Sequence, residues 1–179
     1  MQYNESDYFN SEISVFKALR TIKGSKANDL MYEAYNLLGI LYNERDEYYK
    51  ALEYHNKALT VLEDKSIPTN FQSKSTSLNN IGYVYLNLKN YNQAKINFQE
   101  GLKQDQLFVD KPTLYAMLLD NLAYAKFKLN ESDNLPNLFY RSLKIRDSLK
   151  ITSGTIISKT HLSEYFYSKK DTLKAIEID

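Results

Sequence analysis

The sequence predicts an all-α protein, built as a superhelix of antiparallel helix hairpins. Three observations predict this fold. A small residue recurs at Gly39, Gly82, Ala123 and Ser163, at intervals of 43, 41 and 40 residues, and a small or aliphatic residue follows each one twelve positions later. The apolar residues between these positions have helical spacing, and the 179 residues include only five Gly and three Pro. A period in this range indicates stacked helical units rather than one globular core.

The first complete unit is predicted to span residues 28–63. Leu38 and Leu41 precede a short charged connection at 43–47, and apolar residues resume from Ala51 at spacings of three and four. A connection of this length makes two amphipathic helices antiparallel neighbours.

The later units repeat this layout. The second covers 71–107 and turns at Lys89 and Asn90, the third covers 112–149, and the fourth covers 154–179. The second helix of the fourth unit stops after nine residues, fewer than the roughly 12 to 15 that an isolated helix needs for marginal stability.

The chain is expected to open on the second helix of an earlier unit. Residues 7–22 match the second helix of the first unit at an offset of 40. Together with the short last helix, this predicts a single array over 1–179 that is a piece of a longer one, or that lacks its own caps.

Breaker residues fall between the units. Gly24 and Ser25 are typical of a helix stop and a new N-cap, residues 67–70 predict a break, and Pro112 predicts the first turn of a helix.

The third unit departs from the pattern because Leu135 stands where the other units have alanine, and Pro136 follows it. Since proline is tolerated only in the first turn of a helix, this helix is expected to start near Ser132 or Asp133. The recurrent glycines predict close helix crossings, because glycine inside a helix costs about 1 kcal/mol relative to alanine and must be offset by packing.

Composition excludes several classes of function. The 23 basic and 22 acidic residues give a net charge of +1, which offers no strong field to nucleic acid or anionic lipid. No apolar run is long enough to cross a bilayer, no secretory signal opens the chain, and there is no cysteine. We therefore expect a soluble protein without direct membrane insertion. The sequence does not determine its compartment, and the cytoplasm is slightly favoured over the periplasm.

The sequence offers little chemistry. His55 and His161 are the only histidines, and neither has a second His or Cys at ligand spacing. No phosphate-binding glycine loop is present. We expect no catalytic residues, no metal and no cofactor. A hydrolase is kept as an alternative only because the absence of a known motif does not exclude an enzyme. The basic run of Arg141, Lys144, Arg146 and Lys150 alternates with apolar residues and is interpreted as the solvent-facing side of an amphipathic helix.

These features resemble the tetratricopeptide repeat over nearly the whole chain. The recurrent small residue stands at the eighth position of that motif. Aromatic residues at the eleventh position and small residues at the twenty-seventh agree with it: Tyr42, Tyr85, Phe166, Ala58, Gly101 and Ser142. The motif's Trp and closing Pro are missing, and Lys126 stands at an eleventh position. The period exceeds 34 residues, which is similar to the longer-helix subclass of kinesin light chains and bacterial peptide-sensing regulators.

The resemblance implies a concave wall formed by the first helix of each unit. The peptide-binding residues that it implies are Asn36, Asn43, Thr76, Asn79, Asn80, Tyr83, Asn87, Asp120, Asn121, Tyr124 and Glu164. Further residues on the same wall are Glu33, Ile40, Met117, Phe127, Thr160 and Tyr167. A carboxamide can donate to and accept from a peptide backbone at once, and Tyr adds stiff amphipathic contact area.

Two alternatives stay open for these residues. Asparagine on a polar helix face is often only solvated, and Tyr83 or Tyr124 could pack against the next repeat. Apart from Lys128, the inner positions carry no basic residue, which disfavours capture of a C-terminal carboxylate as in chaperone-binding relatives.

The leading hypothesis is a non-enzymatic scaffold that binds a protein or peptide in its groove. The alternative is a sensory, self-associating or spacer module of a larger bacterial signalling protein, such as a repeat-containing histidine kinase or transcription regulator, in which uncapped terminal helices pair into a homo-oligomer.

Overall fold

A computed structural model of the protein describes residues 5–22, 27–63, 71–104, 106–132 and 134–178. Ten helices make up this part of the chain. Their bounds are α1 Glu5–Ile22, α2 Asn28–Glu44, α3 Tyr48–Leu62, α4 Phe71–Asn87, α5 Tyr91–Leu102, α6 Leu107–Asp110, α7 Pro112–Lys128, α8 Leu135–Ser148, α9 Thr152–Ser168 and α10 Thr172–Ile178.

The helices pair in chain order, as the predicted superhelix requires. Four antiparallel hairpins form, α2 with α3, α4 with α5, α7 with α8 and α9 with α10, and α1 packs against α2. The first helices also contact one another in succession, α2 with α4, α4 with α7 and α7 with α9. The all-α superhelix of hairpins is confirmed. The single turn of α6 was not predicted.

Each glycine of the repeat lies against a ring sixteen residues further along the chain. A Cβ atom added at Gly39 would come within 2.5 Å of the His55 ring, and one added at Gly82 within 2.5 Å of the Phe98 ring. Both rings are buried. Close crossing of the two helices in each hairpin therefore requires glycine at these points, as the sequence predicts.

The turn inside each hairpin has the same backbone conformation. A residue seven positions after the recurrent small residue has a left-handed φ of 57 to 62°, and the four residues are Asp46, Lys89, Asn130 and Lys170. The next amide donates back across the turn to the carbonyl five residues earlier, as from Asn90 to Tyr85 at 2.8 Å. This is the Schellman ending of a helix, in which a left-handed residue lets the last carbonyls find donors.

The core is distributed along the array rather than gathered at one centre. One cluster joins α1, α2, α3 and α4, another joins α5, α6 and α7, and another joins α7, α8, α9 and α10. Each hairpin is thus buried by its neighbours, which is how a solenoid is stabilised.

Three boundary predictions need comment. Helix α8 begins at Leu135, directly after Asn134 with its φ of 61°, so the expected start near Ser132 or Asp133 was too early. Helix α2 continues to Glu44, so the connection is shorter than the predicted 43–47. The breaks predicted at 24–25 and at 67–70 lie outside the described residues.

Candidate functional site: a groove lined by the first helices

Two adjoining cavities run along the inner wall of the array and share Ile40 and Asn80. One has a volume of about 860 Å3 and is lined mainly by α4, α7, α9 and the end of α2. The other has a volume of about 640 Å3 and lies between α1, α2 and α4. We refer to the two together as the groove. Nine of the eleven predicted peptide-binding residues line it: Asn36, Asn43, Thr76, Asn79, Asn80, Tyr83, Asn87, Asn121 and Tyr124.

The groove exposes large apolar side chains. Ile40, Tyr83, Met117 and Ile157 are between 38% and 50% exposed, and each comes from a different first helix. Leu37 adds a further exposed apolar side chain at the α2 end. These side chains give the groove an exposed apolar lining.

Most of the groove carboxamides are paired with each other between neighbouring first helices. Asn87 donates through Nδ2 to Oδ1 of Asn43 at 2.9 Å, and Asn121 donates to Oδ1 of Asn79 at 3.1 Å. All four lie in the wall, and Asn43, Asn79 and Asn121 are buried. These side chains therefore hold successive repeats in register, a role that the sequence analysis did not consider.

Asn36 is bonded in another direction. Its Oδ1 lies 3.0 Å from Nδ1 of His55, and its Nδ2 lies 3.5 Å from Oγ of Ser77. Burial lowers the pKa of His55 to about 4, so the ring is neutral and donates its Nδ1 proton to Asn36. This network ties α2 to α3 and α4.

Asn80 is left without such a partner. It stands at the same repeat position as Asn121 and His161, two residues before the recurrent small residue. Those two residues bond the preceding repeat through Asn79 and Asp120, but the matching acceptor for Asn80 would be Asn36, which His55 and Ser77 occupy. Within the described residues Asn80 makes no side-chain hydrogen bond, and it lines both cavities.

The remaining predicted residues, Asp120 and Glu164, do not line the groove. Asp120 is fully buried and accepts a hydrogen bond through Oδ2 from Nδ1 of His161 at 2.8 Å. The Tyr124 ring stacks on His161 with 4.1 Å between centroids and shields this pair. Glu164 pairs with Lys128, whose ammonium lies 4.8 Å from the centre of the Tyr124 ring. The carboxylate of Asp120 is therefore closed to a ligand, whereas Glu164 is partly exposed and engaged by Lys128.

Solved structures share this architecture. BtubC (BKLC) from P. vanneervenii superposes with a TM-score of 0.80 at 20% identity, over 97% of this chain and 71% of that one. MamA gives 0.64 at 13% identity, over 97% and 85%. Aspartyl phosphate phosphatase F from Bacillus subtilis gives 0.73 at 16% identity, over 96% and 47%. These likenesses show the fold. No curated protein matches the sequence.

The sequence itself carries the family signature, because residues 30–107 match the family model of the tetratricopeptide repeat. This match covers less than half of the chain and supports a relationship to the tetratricopeptide repeat family. Such repeats form protein-interaction scaffolds, and the family is generally non-enzymatic. The resemblance stated from the sequence is thus confirmed, while its longer-period subclass stays a prediction.

Arg146 lies on the face of α8 opposite to the one predicted. Arg146, expected on the solvent-facing side of α8, is only 4% exposed and lines the groove. It follows Phe139 by seven residues and Ser142 by four, and both are fully buried. That helical spacing places Arg146 on the inner face and could have been recognised, but the neighbouring basic residues concealed it. Arg141 and Lys144 are exposed, as expected.

The described part of the chain contains no group of three or more His, Cys, Asp or Glu side chains that could hold a metal ion. His55 and His161 lie on different helices and are bonded to Asn36 and Asp120, respectively. No helix in the described ranges is both long enough and apolar enough to cross a bilayer.

Proposed function

We propose that the groove binds an extended peptide segment of a protein partner. The observation that carries this proposal is the combination of exposed Ile40, Tyr83, Met117 and Ile157 with the unpaired carboxamide of Asn80 in one continuous depression. The apolar residues supply area to bury, at about 25 cal/mol per Å2 of apolar surface. Asn80 can donate to a peptide carbonyl and accept from a peptide N–H together.

The experiment tests this surface with randomised peptides. Dodecapeptides selected on the intact protein are titrated against Asn80→Ala and Tyr83→Ala. We expect a loss of about tenfold in affinity or more for each, because a buried partner group left unpaired costs about 1 to 3 kcal/mol. Asn92→Ala and Tyr49→Ala change the same residue types at exposed positions of second helices and are expected to bind like the wild type. An equal loss of affinity in the groove variants and the control variants, or no loss in either, would contradict the groove assignment.

A different observation supports self-association as a second function. Leu173 and Ile176 of α10 are 77% and 60% exposed, and Ile156 of α9 is 59% exposed. Light scattering over a dilution series tests this. A dimer in the wild type that becomes a monomer on Leu173→Glu supports pairing through this end, and a monomer at all concentrations contradicts it.

A further inference from the structure

Among the described residues, Arg146 is a cation that is buried in the wall of the groove without a hydrogen-bond or ion-pair partner. Arg146 stands in the last turn of α8, and within the described residues its guanidinium makes no hydrogen bond and no ion pair within 4.0 Å. Its Nε is buried and unpaired. Arginine stays protonated in proteins, so a full positive charge stands there. A buried charge without a partner is costly, which makes this site unlike an ordinary surface arginine.

The fold makes room for this guanidinium. Gly154, in the first turn of α9, lies so close that an added Cβ would come 2.3 Å from Nη1 of Arg146. Gly154 lines the groove as well. A side chain at this point would displace the guanidinium, and glycine therefore keeps it against the wall of the groove.

The nearest internal counter-charge does not satisfy Arg146. Burial lowers the pKa of Arg146, and the negative charge of Asp120 opposes that shift. Asp120 is committed to His161 through Oδ2, and its Oδ1 is buried without a hydrogen-bond partner. Asp120 thus stabilises the cation from a distance but leaves its donors unoccupied. A carboxylate from outside would complete the site, since the planar fork of a guanidinium matches two carboxylate oxygens.

We infer that Arg146 selects partners by binding the side-chain carboxylate of an Asp or Glu within the peptide that occupies the groove. A side chain that projects from the peptide into the wall is the expected ligand, because Arg146 is only 4% exposed. Met117 and Ile157 line the same cavity and are 38% and 50% exposed, so apolar residues of the ligand are expected beside the acid. This inference rests on the proposed function of the groove.

The test repeats the peptide selection with two libraries, one displayed inside a loop without free ends and one with free C termini. The intact protein is compared with Arg146→Met and with Arg141→Met, which removes an equal charge from an exposed position of the same helix. We expect the loop library to enrich Asp or Glu at one fixed position, and those peptides to lose tenfold or more in affinity for Arg146→Met but not for Arg141→Met. Arg146→Lys, which keeps the charge and loses the fork, should recover only part of the affinity. The circular dichroism spectrum of each variant reports whether it is folded.

Three other results would contradict the inference. If peptides without acids bind the groove, and bind Arg146→Met as tightly as the wild type, the proposed function stands and the role of Arg146 is wrong. Acid enrichment confined to free C termini assigns the carboxylate to a chain end instead. Peptides that are insensitive to Asn80→Ala and Tyr83→Ala overturn the groove and the inference together. If Arg146→Met is unfolded, Gly154→Ala, which displaces the guanidinium without removing its charge, must produce the same loss of acid preference.

Discussion

At the scale of single residues, one position of the repeat is filled by a phenylalanine ring in two hairpins and by a histidine ring in another. His55, Phe98 and Phe139 each follow the recurrent small residue by sixteen positions, and all three are buried. Phenylalanine fills the space without a polar group. Histidine fills it and also donates to Asn36 at 3.0 Å, which extends a polar network to Ser77 on the next hairpin.

The buried histidine at this position predicts that the free energy of unfolding depends on pH. Burial lowers the pKa of His55 to about 4, below the ordinary value near 6.5. The unfolded chain therefore takes up this proton first as the pH falls, and the contribution of His55 to the free energy of unfolding decreases between pH 6.5 and 4 by roughly 3 kcal/mol. His55→Phe should remove this part of the dependence. Urea midpoints measured from pH 7 to pH 4 check it, and parallel curves for wild type and variant would show that His55 does not titrate in this way.

The carboxamides also show what sequence reasoning could and could not reach. The groove position of Asn79 and Asn121 follows from the repeat, and nine of the eleven residues selected in this way line the cavities. That two of them bond each other at 3.1 Å does not follow, because the partner lies 42 residues away on a neighbouring helix. The burial of Asp120 was not predicted for the same reason, because it results from contact with His161 on another helix.

At the scale of elements, the four hairpin turns place residues other than glycine in the left-handed region. This conformation costs a residue with a side chain roughly 1 to 2 kcal/mol, and glycine adopts it freely. Lys89 is exposed and has a φ of 57°. The turn thus stores strain that the Schellman hydrogen bond from Asn90 to Tyr85 offsets.

We expect Lys89→Gly to raise the free energy of unfolding by up to about 1 kcal/mol, because relief of the backbone strain exceeds the added freedom of the unfolded chain. Lys144→Gly is the matched control at an exposed position inside α8, where the same change should lower stability by about 1 kcal/mol. Chemical denaturation of both variants measures the two effects. A loss of stability in Lys89→Gly as large as in the control would be inconsistent with a strained turn.

The elements that escaped prediction lacked a periodic signal. Helix α6 has four residues, and two of them, Phe108 and Val109, are 51% and 74% exposed, so no amphipathic pattern marks it. Arg146 escaped because a charge at an inner helical position is rare and its basic neighbours face solvent. The longer helices were accessible because their apolar residues repeat at three and four positions over twelve residues or more.

At the scale of the whole molecule, stability is local because each hairpin is buried by its neighbours. Helix α10 has seven residues and packs chiefly against α9, whereas α4, α5 and α7 have packing partners on both sides. A molecule of this kind opens from its ends more easily than from its middle.

Hydrogen exchange should therefore follow position along the array. We expect the amides of α10 and α1 to exchange at least tenfold faster than buried amides of α4 and α7, since opening an end exposes less apolar surface than opening the centre. Mass spectrometry of peptides from the native protein measures this gradient. Uniform protection from α1 to α10 would indicate one cooperative unit instead.

The pairing of Asn79 with Asn121 has a consequence for how such a chain can lengthen. Asn80 occupies in its own hairpin the place that Asn121 takes in the following one, so a tandem duplication of the second hairpin would set the first copy's Asn79 opposite the second copy's Asn80. The junction between the two copies would form the same amide-to-amide hydrogen bond as soon as the duplication occurred. Growth by copying thus needs no compensating mutation at this contact, and the first copy's Asn80 would still face the occupied Asn36 and keep its carboxamide free in the groove.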